Sequence, residues 1–278
     1  MSGLWLLFGG LICVAAIVFW HSWRVRRRRQ ALRALRLDAR QREIVVEVFP
    51  LWEEIPEDIR METEGWMHVF LAEKTFEPCG GLQEVDETMR LAIAAPACLL
   101  VAKRPQDYYE RLRSILVYPD AFRVKDEWGV EDIRLGESWG HGSVVLAWQT
   151  VKQGDLNPED GLNVVLHEFA HQIDQEDGAA DGVPELEEVT DYGKWSEAFL
   201  PAYDDFCERV NKGKRTVMDD YGAESPAEFF AVATETFFER AKKFRQEEPE
   251  IYEELVRFYG MNPAEWVDAG RRAARVSD

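Results

Sequence analysis

VVLHEFAHQID, residues 164–174, decides how this chain is read. It carries His167, Glu168 and His171 in the pattern H-E-x-x-H. A helix of about 3.6 residues per turn returns His167 and His171 to one face. Two neutral imidazoles placed this way can hold a zinc ion at about 2.0–2.1 Å each. Glu168 follows the first of them, where a carboxylate can reach a metal-bound water without itself binding the metal. That is the general-base position of a zinc peptidase. Val164, Val165, Leu166, Phe169, Ala170 and Ile173 surround the motif with apolar groups, which predicts a buried helix. The plainer alternative is a helix whose histidines merely pack or meet solvent. Burial argues against it, because two histidines and a glutamate are not buried without partners. Upstream, Asn157 and Pro158 read as N-cap and first helical residue.

A peptidase zinc needs three protein ligands and one open position. The sequence offers three candidates for the third ligand. A metzincin places Gly three residues after the second histidine and a ligand six after it. Asp174 and Asp177 stand at those positions, and without the glycine the chain does not readily turn back toward the metal. Asp174 could itself be a ligand, or could orient a neighbour from behind. Glu228 is the third candidate. It lies in the first turn of an apolar helix (Phe229, Phe230, Val232, Phe237, Phe238) that is predicted to run from Pro226 to Lys242 behind the N-cap Ser225. Ser225 three residues earlier gives Glu228 a competing role, closing a capping box.

The chain has 278 residues, 46% of them hydrophobic and 31% charged, enough for one sizeable domain with an appendage. Its four cysteines, Cys13, Cys79, Cys98 and Cys207, form no C-x-x-C pair, so neither a redox motif nor a zinc ribbon is indicated. Net charge is −19, but residues 24–42 hold nine arginines against one acid, a local +8 that leaves −27 for residues 43–278. So acidic a body excludes nucleic acid as a partner.

Gly3 to Trp20 is an eighteen-residue run without charge, with Trp5, Trp20 and Trp23 near its ends and Arg24, Arg26, Arg27, Arg28 and Arg29 directly after it. Its length and the positive flank predict an uncleaved single-pass anchor in a bacterial inner membrane, with the rest of the chain facing the cytoplasm. The charge follows the apolar run, the reverse of a signal peptide. Residues 24–43 are expected to continue as a basic helix along anionic lipid.

In the body, helices are expected over about Pro56 to Lys74 and about Asp86 to Ala94, the second interrupted near Pro96. Ser114–Tyr118 reads as a strand and Phe122–Val124 as another, while Arg134–Ser138 reads as a strand or a turn. Ser143–Val151 reads as the clearest strand, and Val144–Ala147 either as an edge on which an extended peptide would pair or as an ordinary core strand. The motif helix is expected to end near Asp177-Gly178. Further helices are expected over Trp195–Val210, Pro249–Tyr259 and Pro263–Arg272. The fold class is therefore α+β: a mainly helical, zincin-like metallopeptidase domain with a small β-sheet over residues 44–278, preceded by a transmembrane helix over 1–23 and the basic segment 24–43.

Several pieces in one order carry a resemblance. They are Leu116-Val117-Tyr118-Pro119 with Phe122, Asp126-Glu127-Trp128, residues 142–148, the motif itself, Gly182-Val183-Pro184, and residues 221–232. Together they resemble the Mlc titration factor A family, bacterial zinc-dependent peptidases related in fold to the catalytic domain of anthrax lethal factor. The resemblance spans roughly Trp52 to Trp266. It implies that His167, His171 and Glu228 bind Zn2+ and that Glu168 is the general base. It further implies that Tyr221 hydrogen-bonds the oxyanion, a role that suits a phenol. Glu235, seven residues after Glu228, would support His171 from behind. The expected partner is a peptide or protein substrate, with endo- or aminopeptidase action left open. The family's founding member is a soluble cytosolic protein, whereas this chain begins with an expected anchor. The family is named for binding the glucose repressor Mlc, a partner not carried over because no surface for it is identified. Two rival functions stand beside hydrolysis. One is a catalytically inactive, membrane-tethered regulator with structural zinc that sequesters a soluble partner, and the other is a metal-independent scaffold.

Overall fold

A four-stranded sheet lies beside the motif helix. The structure, a computed structural model, describes residues 2–104, 109–120, 122–125, 131–134, 136–139, 142–156 and 161–266. Strands β1 (Thr75–Pro78), β2 (Ser114–Tyr118) and β6 (Ser143–Ala147) run parallel, and β5 (Gly136–Trp139) pairs antiparallel with β6. Strands β3 (Phe122–Lys125) and β4 (Glu131–Arg134) form a separate antiparallel pair. The expected strands Ser114–Tyr118 and Phe122–Val124 are present. Ser143–Val151 divides instead, leaving the ladder after Ala147 to become helix α5, Trp148–Leu156. A short apolar run has no period that separates strand from buried helix, and Val151 is as buried on the helix as a strand residue would be. Because β6 lies between β2 and β5, it is not an edge, and the expected peptide pairing along Val144–Ala147 is corrected. The described edges of this sheet are β1 and β5.

The helices around the sheet are α1 (Ser2–Arg33), α2 (Ala39–Val48), α3 (Glu57–Glu73), α4 (Glu87–Val101), α6 (Val164–Asp174), α7 (Asp191–Asn211), α8 (Pro226–Glu239), α9 (Ala241–Glu247) and α10 (Pro249–Tyr259). α4 is the core helix. Asp86 caps it by accepting from the Met89 N–H at 2.8 Å, and every residue from Leu91 to Val101 is buried. The helix continues through Pro96. The lost hydrogen bond and ring clash cost about 3 kcal/mol. A run of buried apolar side chains, each worth roughly 1.5–3 kcal/mol for the larger ones, offsets that. Phe70 of α3, Phe76 of β1, Tyr109 and Phe169 of α6 meet edge-on or tilted at 5.1–6.4 Å between ring centroids, which ties the motif helix to the core.

The N-terminal expectation is overturned. Among the described residues no helix is long and apolar enough to cross a membrane. The transmembrane helix over 1–23, the inner membrane as a partner and the single-pass location are corrected accordingly. The end of α1 instead packs on α3. Arg29 forms a two-pronged pair with Glu73 at 2.9 and 3.0 Å, Arg33 pairs with Glu62 at 2.6 Å, and the Arg33 guanidinium lies 4.2 Å over the Trp66 ring. The approach is close because α3 presents Gly65 there, where a Cβ would sit 2.6 Å from the Arg33 carbonyl oxygen. The basic segment is also not one helix. Asp38 and Gln41 close a capping box that starts α2, and the Leu37 N–H and Arg42 guanidinium both bond the buried Glu64.

Lys74 joins the end of α3 to the turn before β2. Its buried ammonium donates to the Tyr109 and Leu112 carbonyls at 2.7 and 3.0 Å. Burial pushes its pKa from 10.5 down to about 8. The unfolded chain therefore binds more protons between those values, and this group's contribution to stability rises with pH across that window. Relative to a Lys74→Met protein, the wild type is expected to gain up to about 3 kcal/mol between pH 7.5 and pH 10.5. Denaturation midpoints of both proteins across that range check this, and parallel pH slopes would refute it.

Candidate metal centre

The motif helix α6 ends at Asp174, short of the expected Asp177-Gly178, and begins at Val164. Its N-cap is Asn163, whose side-chain oxygen accepts from the Val165 and Leu166 N–H groups at 3.1 Å each. The expected cap, Asn157-Pro158, lies outside the described residues, as do Asp126-Glu127-Trp128, Gly140, His141 and the chain beyond Trp266. One helical turn places the His167 and His171 rings 4.8 Å apart, with their Nε2 atoms at 3.2 Å.

Glu228 reaches the same point from α8. Ser225 is the N-cap and accepts from the Glu228 N–H at 3.2 Å, one half of the capping box. The Glu228 side chain does not turn back to complete that box. Its Oε2 lies 3.0 Å from His167 Nε2 and 3.2 Å from His171 Nε2. Among the described residues, this trio is the group of His, Cys, Asp or Glu side chains that could hold a metal ion. Three donors bound tetrahedrally at about 2.0–2.1 Å stand about 3.3 Å apart. The observed triangle, with edges of 3.0 to 3.2 Å, is close to one face of that tetrahedron. Asp174 and Asp177 do not join it. Asp174 is fully buried and accepts from the Gly182 N–H at 3.0 Å, while Asp177 is a loop residue that accepts from the Ala179 N–H.

The expectation for Glu235 changes partner. Its Oε1 meets His167 Nδ1 at 2.8 Å, not His171, and its Oε2 accepts from the Asn163 N–H at 2.5 Å. One buried carboxylate thereby fixes the start of the motif helix and the tilt of the first imidazole, leaving Nε2 aimed at Glu228. For Glu228, burial alone would raise the pKa, but hydrogen bonds from His167 and His171 outweigh it and hold the carboxyl at about 2. For His167, burial lowers the pKa, and Glu235, Glu228 and Glu168 more than offset it, so the ring is raised well above its usual range. Asp174 is pushed up to about 6, chiefly by burial.

Glu168 is 5% exposed on α6 beside His167. Tyr221 is 48% exposed. It sits in a 3₁₀ turn over Asp220–Ala223, started by Asp219, which accepts from the Tyr221 N–H at 2.9 Å. Its ring centroid lies 6.0 Å from that of His167. The Asn163 cap and the Glu235–His167 bond were the features missed in sequence. Asn163 stands immediately before the first apolar residue of the motif and was the available signal.

An H-E-x-x-H helix completed by a carboxylate from a second helix defines a metallopeptidase-like domain. The chain belongs to the family described as glucose-regulated metallo-peptidase M90, whose model matches residues 22–260. It is 40% identical over 223 residues to slr2042, an uncharacterised protein of Synechocystis sp., covering 77% of this chain and 81% of that one. It is 32% identical over 206 residues to the Mlc titration factor A proteins of Escherichia fergusonii and Cronobacter sakazakii, covering 70% of this chain and 76% of each. The resemblance read from the motifs is the family these matches give.

Proposed function

We propose that the chain is a zinc-dependent peptidase in which His167, His171 and Glu228 hold the ion, Glu168 is the general base and Tyr221 stabilises the oxyanion. The observation that carries this is the donor triangle, whose two imidazoles and one carboxylate stand at the spacing a tetrahedral zinc requires. When bound in such a set, zinc lowers the pKa of a coordinated water to about 7 and polarises a carbonyl. The chain's own residues supply the rest. Glu168, next to His167 on α6, accepts the water's proton and passes it to the leaving amine. Tyr221, half exposed and adjacent to His167, donates its O–H to the developing negative charge. Glu235 orients His167 through Nδ1 and keeps that nitrogen from competing as a donor to the ion.

The relatives named Mlc titration factor A favour a second reading, in which this domain binds a regulatory protein. Hydrolysis separates the two. A peptide library is expected to be cleaved by the zinc-loaded protein, to lose cleavage after chelation and to regain it when zinc is returned. Cleavage that survives complete metal removal would refute the peptidase assignment.

A further inference from the structure

We propose that Gly182 is the spacer that sets the distance between the helix carrying His167 and His171 and the helix carrying Glu228, and that Asp174 holds it in place. The inference rests on the assignment of those three residues as metal ligands. After α6 ends, the loop returns so that the Gly182 N–H donates to Asp174 Oδ2 at 3.0 Å, and Asp174 is fully buried at the last position of the motif helix. The Gly182 carbonyl accepts from the Trp195 Nε1–H of α7 at 3.2 Å. Trp195 in turn stacks on Phe199 at 4.0 Å and meets Phe230 of α8 at 5.7 Å. Both hydrogen-bonding groups of this one residue are therefore fastened to packed helices.

The remaining side of Gly182 faces α8. A Cβ there would stand 2.3 Å from the Pro226 carbonyl oxygen, 2.7 Å from the Pro226 carbonyl carbon and 3.3 Å from the Ala227 nitrogen. All three are backbone atoms of the first turn of α8, and none is the end of a side chain that could swing aside. The backbone angle, φ +79°, is also one that favours glycine. Pro226 and Ala227 immediately precede Glu228. A side chain at 182 must push that turn away from α6 by roughly 1 Å to reach ordinary contact, whereas a functional constellation tolerates only about 0.5 Å. The two edges that Glu228 makes across the helices, 3.0 and 3.2 Å, open before the hydrophobic core does.

The test is binding of cobalt(II) to the full, metal-free chain, followed by its visible ligand-field absorption, which is intense when four-coordinate tetrahedral and weak otherwise. Glu228→Gln is compared with wild type to establish that the band depends on Glu228. Gly182→Ala is expected to bind cobalt at least tenfold more weakly and to lose band intensity, with far-UV circular dichroism unchanged. Asp174→Ala is expected to do the same, while Asp174→Asn, which keeps an acceptor for the Gly182 N–H, stays within about threefold of wild type. A purely structural loop would move the melting temperature and leave the spectrum alone. If Gly182→Ala does not fold, the Asp174 pair decides, because neither substitution adds bulk against α8. Wild-type affinity and spectrum in both Gly182→Ala and Asp174→Ala would overturn the spacer. A wild-type protein without a Glu228-dependent band would overturn the ligand assignment itself, and the spacer with it.

Discussion

Glu168→Gln protein is expected to keep its metal and lose peptide hydrolysis by on the order of 10²–10⁴-fold in kcat, the usual contribution of a positioned proton acceptor. The substitution preserves size and shape at a site that is only 5% exposed, so packing of α6 has little reason to change. It removes the negative charge and with it the ability to take up a proton. His167, His171 and Glu228 are untouched, and metal content measured by elemental analysis should match wild type. Full hydrolysis by the variant would remove Glu168 from the mechanism. If the domain acts by binding a regulatory protein, capture of that protein would be unaffected by this substitution, so the same variant separates enzyme from binder.

Glu228→Ala is expected to weaken zinc binding by more than about a hundredfold, beyond the 10–100-fold typical of residues that only support a ligand. Two histidines remain, fixed by the turn geometry of α6, but a donor on a second helix is lost. Its carboxylate is held at about 2 by hydrogen bonds from both imidazoles. Competition with a chelator of known affinity measures the loss. A variant that competes like wild type would exclude Glu228 from the ligand set.

The motif helix was legible because H-E-x-x-H and its apolar surroundings both follow helical periodicity. Its true start was not, because Asn157-Pro158 offers a stronger start signal than Asn163, and a start signal does not reveal where a loop ends. Glu228 stood among three candidates, since spacing along the chain says nothing of which distant helix packs on α6. Tyr221 came from the resemblance alone. Glu235 was placed on the correct helix face with the wrong histidine, because which of two stacked rings a buried carboxylate meets is decided by the relative rotation of α6 and α8. The edge role given to Val144–Ala147 failed for a topological reason. β5 precedes β6 in sequence and pairs outside it, and a strand's own residues do not reveal its neighbours. Pro96 misled because a local penalty was weighed without the burial of the whole helix. The apolar N-terminal run was read as a span, yet among the described residues no helix is long and apolar enough to cross a membrane, and its arginine end is engaged by Glu62 and Glu73.

His171 and Glu228 lie 57 positions apart in sequence, and their side-chain atoms are 3.2 Å apart in the fold. An ion held by both, as proposed, would act as a chain cross-link. In the chain-entropy account, closing a loop of this size restricts the unfolded ensemble by about 4 kcal/mol, comparable to a disulfide. The enclosed segment contains the acidic loop after α6, Gly182, α7 and the turn bearing Tyr221. Removing the ion would thus untie one defined stretch of the chain. Limited proteolysis with and without added zinc is expected to show that stretch cut faster when the ion is absent.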